Sequence, residues 1–396
     1  MASRQIAQRD PMDATVRLLT PLSWAPRQGE VCPDDWQAAW RFCGFHGVRP
    51  ALAQSLKRLP ESCLPPPWLV ADLADFTRGH AFAVLQKTAE IVSLSNALEA
   101  EGVTAVFFKG AVLGEQVYGA AQFREFNDID LLVSLEDRDR VADLLEASGY
   151  LPVIADRLFR RAFFDYAGQH MFRHRDSGSV VDLHWNFVGN LDFPVDAAEV
   201  MRNRTMLALG GVRVPAPSIE DLALILAGHG QKEGWASFGW ALDFAKFSAS
   251  FPDFDWDKAA RRAQDKGGLG ALLTALLMVE RLFGRVLDQD LVAKARQSRR
   301  IVDDVERIII GYHALAERRL ADDLMGSFRL CETALQRARV WWGLLTTRTI
   351  SDYEALPLPP RWWWVYRLTR PFRLAWQTLR GRPPTPSALF EGHKKS

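Results

Sequence analysis

The chain has 396 residues, of which 48% are apolar on a wide count and 24% are charged, with a net charge of +1 at pH 7. Such a composition can bury a sizeable core in two or three domains of about 150 residues each, and it excludes a disordered, collagen-like or disulfide-dense chain. Near-neutrality also excludes a protein that coats nucleic acid through bulk charge.

The first 85 residues read as helical. The opening stretch mixes Arg4, Arg9, Asp10 and Asp13 with no apolar core, unlike a secretory signal. Cys32, Cys43, Cys63 and Cys331 form no C-x-x-C pair, so the expectation is reduced, mostly buried thiols in a cytoplasmic protein. Asp34 and Asp35 precede Trp36, Ala39, Trp40 and Cys43 at helical spacing, which predicts a capped helix. Pro65-Pro66-Pro67 then leads into a long helix over about 68–100, with Leu73, Phe76, Leu85, Ile91, Leu94 and Leu98 on its apolar stripe. Gly102 closes it.

Over 86–190 the pattern changes to an α/β unit. Residues 103–108 are β-branched and aromatic and run into Lys109-Gly110 and a short helix. Residues 129–133 are a second strand, followed by a helix over 135–148 that Gly149 stops. Residues 163–175 and 179–187 predict two strands joined at Asp176-Ser177-Gly178. From about 191 to 350 the pattern is read as helical, with Ser218 capping a helix start. The expected fold class is therefore α+β or α/β, a small mixed-sheet domain between an N-terminal helical region (1–85) and a C-terminal helical domain (191–350). A proline-rich, basic-aromatic tail (351–396) follows. No run approaches the roughly 18 apolar residues that span a bilayer.

The informative chemistry lies between Phe107 and Val133. A strand that ends in a glycine turn and opens a helix presents backbone N–H groups, a natural seat for phosphate at Lys109-Gly110. Asp128-Ile129-Asp130 opens the next strand, and at period two both carboxylates share a face while Ile129 and Leu131 take the other. Adjacent carboxylates repel unless a cation lies between them, so Mg²⁺ is the natural resolution, with Mn²⁺ as a substitute. A two-metal phosphoryl-transfer site needs a third carboxylate, and Asp182 in a later strand supplies it, with His184 on the same face. Two other D-x-D triplets, at Asp137 and Asp288, sit in helix-like surroundings where i and i+2 do not share a face. His174-Arg175-Asp176 lacks the neighbours of a kinase catalytic loop and is discarded as one.

These motifs resemble the polymerase β-like nucleotidyltransferase superfamily. They are most similar to a bacterial family of uncharacterised nucleotidyltransferases. The resemblance rests on Lys109-Gly110, Tyr118, Arg124, the run from Asp128 to Val133, Gly149-Tyr150 and the run from Val181 to Trp185. It continues in His229-Gly230, Lys232, Trp235 and Trp240-Ala241-Leu242-Asp243, and covers roughly 35–250. It implies transfer of a nucleotidyl group from an NTP to a small molecule, sugar or peptide, with two Mg²⁺ ions on Asp128, Asp130 and Asp182. Asp182 would also serve the attacking oxygen. Nucleotide contacts would fall to Lys109, Gly110, Arg124, His229 and Lys232, with Arg124 either meeting a phosphate or neutralising the carboxylates. Duplex nucleic acid is not an expected partner. One departure is Ala111, where the superfamily places a serine hydroxyl on the triphosphate. It keeps open a catalytically idle fold that serves as a binding partner, and an enzyme that nucleotidylates proteins is a third reading.

The tail is a separate signal. Residues 356–396 carry eight Lys and Arg against one Glu, so the remaining 355 hold 41 basic and 47 acidic side chains. Between Arg361 and Arg382, Trp362, Trp363, Trp364, Tyr366, Phe372 and Trp376 interleave with arginines, and Pro371 argues against one uninterrupted helix. Docking across the body, a peripheral membrane contact, a nucleic acid and another acidic partner all fit this composition. Trp235, Trp240, Trp341 and Trp342 are expected in packing roles.

Overall fold

A computed structural model describes residues 11–21, 24, 32–59, 63–157, 160, 168–187, 193–315, 334–335, 337–338, 341–342 and 350–379. The centre is a five-stranded mixed sheet made of β1 (Ala105–Phe108), β2 (Asp128–Val133), β3 (Tyr150–Pro152), β4 (Gln169–His174) and β5 (Val180–His184). Its order is β1-β2-β5-β4-β3; β2 and β5 run parallel and the other neighbours antiparallel. The parallel pair needs a long crossover, which the helix Arg138–Ala147 and the β3–β4 excursion provide.

Strand alternation splits the sheet's side chains between two cores. On one face Phe107, Ile129, Leu131, Val133, Val181 and Leu183 pack against the helices Pro67–Ala100 and Arg138–Ala147. On the other, Val106, Phe108 and Leu132 join the core of the helical region. The long helix opens with Pro67 in its first turn, where a missing N–H costs nothing. It buries Leu73, Ile91, Leu94 and Leu98 as the stripe predicts, but Val84 takes the inward place and Leu85 is exposed. Neighbouring residues lie about 100° apart round a helix, so only one of the two can face in. Asp35 caps Trp36–Phe45 by accepting the Ala38 N–H at 2.9 Å, and Ser218 caps Ile219–Lys232 through the Asp221 N–H at 3.2 Å. Helix Leu269–Phe283 is buried continuously from Leu269 to Val279, so the richest apolar run is the heart of the helical region. Among the described residues no helix is long and apolar enough to cross a membrane.

Three sequence expectations fail here. Residues 205–216, read as part of a helical region, form a hairpin of β6 (Thr205–Leu209) and β7 (Val212–Ala216). Gly210 and Gly211 make its two-residue turn at φ +59° and +86°, a backbone that glycine adopts without steric cost. Leu209, Val214 and Ala216 then bury against the sheet and the long helix. Cys32 and Cys63, expected as thiols, form a disulfide with their Cα atoms 5.6 Å apart. Their separation of 31 residues in sequence gave no sign that the intervening helices fold the two loops together. Cys43 is a buried thiol, and Cys331 lies outside the described residues. Trp235 is fully buried, but Trp341 and Trp342, also expected in packing, are 56% and 71% exposed.

Candidate active site

The site forms where β2 and β5 run side by side. Their register sets Asp130 directly opposite Asp182, and period two puts His184 on the same face. Ligand atoms of Asp130, Asp182 and His184 all lie within 4.8 Å of one another. His184 Nε2 is 3.1 Å from Asp130 Oδ1 and 3.4 Å from Asp182 Oδ2. All three side chains are buried, while Asp128, at the start of β2 on the same face, is partly exposed. The sequence therefore placed the carboxylates correctly on one surface. It left the role of His184 undecided, and the structure sets that imidazole between two of them.

The turn after β1 brings the first cation. Lys109 adopts φ +56° and ψ −151°, a conformation that costs a non-glycine residue about 1–3 kcal/mol and is held only by its surroundings. Gly110 follows at φ +44°, and a Cβ there would meet the Asp128 carbonyl at 3.2 Å. The turn is thus pressed against the start of β2, and the Lys109 ammonium reaches Asp130 Oδ1 at 3.1 Å. Beyond it the helix Gly110–Leu113 widens into a π turn over Gly114–Tyr118.

Burial and repulsion give these groups distinct charges. Burial, with Asp130 and Asp182 nearby, pushes the Asp128 carboxyl from 3.8 up to about 6, against the pull of Lys109 and Arg124. Burial also acts to raise Asp130, but the Lys109 ammonium and the bond from His184 outweigh it and hold that carboxyl well below the usual range. Burial alone would lower His184 and Lys109; their carboxylate neighbours raise both instead. In effect Lys109, together with His184 drawn toward its protonated form, offsets a carboxylate cluster whose remaining repulsion falls on Asp128.

An outer ring of polar groups surrounds this centre. Gln169 in β4 donates to Asp182 Oδ2 at 2.6 Å and accepts from Lys232 Nζ at 2.6 Å, so Lys232 reaches the carboxylates through an amide. Burial, together with Lys109, lowers the Lys232 ammonium, although Glu233 opposes this. His229 lies with its ring edge-on to Trp240 at 5.1 Å, and burial with Lys109 and Lys232 drives it well below its ordinary value, toward neutral imidazole. Arg124 is engaged elsewhere. Its Nε bonds Asp243 Oδ1 at 3.0 Å, its Nη2 bonds Oδ2 at 2.9 Å, and Tyr118 donates to Oδ1 at 2.7 Å. Of the sequence-selected residues, Lys109, Asp130 and Asp182 cluster directly, Asp128 and Gly110 flank them, Lys232 joins through Gln169, and Arg124 is clamped by Asp243. Gln169 was not foreseen; only the β4–β5 register, with Gln169 opposite His184, brings it to this face. His174, at the end of β4, accepts the Asp176 and Ser177 N–H groups in the turn that follows.

The donor set suits a hard divalent cation. Carboxylate oxygens are the ligands of Mg²⁺ and Mn²⁺, and an acidic group pushed to about 6 by burial and then by its like-charged neighbours is a place where positive charge is wanted. The family described as "Uncharacterised nucleotidyltransferase" matches residues 33–284, more than half of the chain and the whole of the site. No curated protein matches it.

Proposed function

The chain belongs to that uncharacterised nucleotidyltransferase family, and from this premise we propose that it moves a nucleotidyl group from an NTP to a hydroxyl or phosphate of a small molecule, sugar or peptide. The observation that carries the reading is the Asp130–Asp182 pair across two parallel strands, with Asp128 on the same face and the Lys109-Gly110 turn at its edge. Asp128, Asp130 and Asp182 would hold Mg²⁺, or Mn²⁺ in its place. Bound divalent ions supply charge neutralisation for the triphosphate and activation of the attacking oxygen.

The protein groups have their own parts. Lys109, already paired with Asp130, would turn to a phosphate when cations satisfy the carboxylate. Asp182, oriented by Gln169, is the base for the acceptor hydroxyl. His229, kept neutral, and Lys232 would line the nucleotide. Arg124 acts one step removed, fixing Asp243 and Tyr118 under the site.

Titration calorimetry with Mg²⁺ and each NTP tests the reading. Wild type should bind one nucleotide at micromolar to millimolar concentration, and Asp130→Asn/Asp182→Asn should weaken it at least about a hundredfold, roughly 2.8 kcal/mol. Equal binding by the two proteins, or none by either, sinks the enzymatic reading. The clamp on Arg124 and the alanine at 111 favour the idle binding-partner alternative, which predicts the second of those outcomes. Incubation of the enzyme with α-labelled NTPs and a lysate separates protein acceptors, which give a labelled band, from small ones.

A further inference from the structure

The segment 350–379 is built around an inward ion cluster of Asp352, Arg370 and Arg373. Helix Ile350–Ala355, a 3₁₀ turn at Pro360–Val365 and helix Tyr366–Leu379 fold on one another. Buried Asp352 accepts from Arg370 Nη1 at 2.6 Å and from Arg373 Nε at 2.8 Å. The Tyr366 hydroxyl donates to the Leu356 carbonyl at 2.6 Å and accepts the Leu358 N–H at 3.0 Å, and Trp363 Nε1 donates to the Leu358 carbonyl at 2.8 Å. These bonds turn Tyr366, Arg370 and Arg373 to the inside. Pro371, expected to break the helix, is carried within it.

The outward face is consequently apolar. Trp364, Leu368 and Phe372 follow at four-residue spacing and are 55%, 58% and 78% exposed; Trp362, 46% exposed, stacks on Trp364 with ring centroids 6.1 Å apart. The same spacing reaches Trp376. A helix docked on a domain does the reverse, with apolar residues in and charge out. Docking across the body therefore does not describe this face. Arg361 and Arg367 are exposed beside it, and the following sequence adds Arg380, Arg382, Lys394 and Lys395 against Glu391 alone.

We propose that residues 360–376 are an interfacial anchor that lies in the plane of an anionic lipid bilayer. Trp362, Trp364, Leu368 and Phe372 enter the boundary between headgroups and acyl chains, and Arg361 and Arg367 pair with lipid phosphates. Charge complementarity selects this occupant. The tail is strongly basic while the other 355 residues are net acidic, so an anionic surface attracts one end of the chain and repels the rest. The residue types agree, because indole rings favour the membrane interface and arginines flank them.

Flotation of the full chain tests this with vesicles of phosphatidylcholine alone and with one-third phosphatidylglycerol. Wild type should float with the anionic vesicles and far less with the neutral ones. Leu368→Ser/Phe372→Ser should lose at least about tenfold of that binding, and Arg361→Gln/Arg367→Gln a similar factor at low salt only. Tryptophan fluorescence of the unmodified protein should be quenched by brominated lipid, a readout that needs no variant. Wild type remaining below the anionic vesicles, equal flotation of the serine variant, or absence of quenching each overturns the anchor. So does light scattering that shows a wild-type dimer and a monomeric serine variant, with neither floating; the face would then join two copies.

Discussion

Asp128→Asn should make the metal-free protein more stable at neutral pH while abolishing nucleotidyl transfer. Burial and its carboxylate neighbours raise the folded-state value of Asp128 from 3.8 to about 6. A carboxyl with a raised folded value binds its proton more tightly in the native state, so the native state loses stability as pH climbs from about 4 through 6. The full gap corresponds to about 3 kcal/mol, and partial exposure of the group screens this to about 2. Asparagine cannot ionise and escapes the penalty. The melting temperature of Asp128→Asn should therefore match wild type near pH 4 and exceed it by roughly 4–6 °C at pH 8, at about 2–3 °C per kcal/mol for a chain of this size. Calorimetric melts of both proteins across pH 4–8, in chelator, measure the difference. Millimolar Mg²⁺ should then narrow the gap by stabilising wild type selectively. A gap that is constant with pH, or one that favours wild type at pH 8, would refute the account of Asp128 as an uncompensated charge.

Asp243→Ala leaves the Arg124 guanidinium buried without its counter-ion, and urea unfolding should show a loss of about 3–5 kcal/mol, while the exposed pair Arg157–Asp143 should be worth under about 1 kcal/mol on the same assay. Gln169→Leu keeps the fold but frees both Asp182 and Lys232, so steady-state kinetics should show kcat reduced by about tenfold or more. Cys32→Ser/Cys63→Ser opens a loop spanning 31 residues and should cost about 3–4 kcal/mol relative to the oxidised protein, with reduced wild type behaving like the variant. Peptide mapping without reductant should recover the Cys32–Cys63 linkage directly.

The site was legible where its signal is local. Asp128 and Asp130 declare a shared face because strand side chains alternate, and Ile129, Leu131, Val181 and Leu183 duly bury on the opposite one. The Lys109-Gly110 turn was legible because a glycine between strand and helix marks a backbone no other residue takes easily. The β6–β7 hairpin carried its own sign, two glycines between short alternating runs, and was missed by reading the surrounding region as helical throughout. Arg124 was a harder case. Its neighbours in sequence point to the carboxylates, yet its partner is Asp243, 119 residues away, and no local pattern ranks one acid above another.

Alternation, helix caps, the proline and glycine stops and the basic-aromatic tail follow from the sequence alone, because each is set by neighbours within a few residues. Tertiary structure decided which strands lie together, and so that Asp130 faces Asp182 with His184 between them. It also decided that Gln169 links Lys232 to that pair, that Cys32 meets Cys63, and that Asp352 turns Arg370 and Arg373 inward while Trp362 and Trp364 stay exposed. Those outcomes depend on register and on ion pairs between distant segments, and such contacts exist only once the chain has closed on itself.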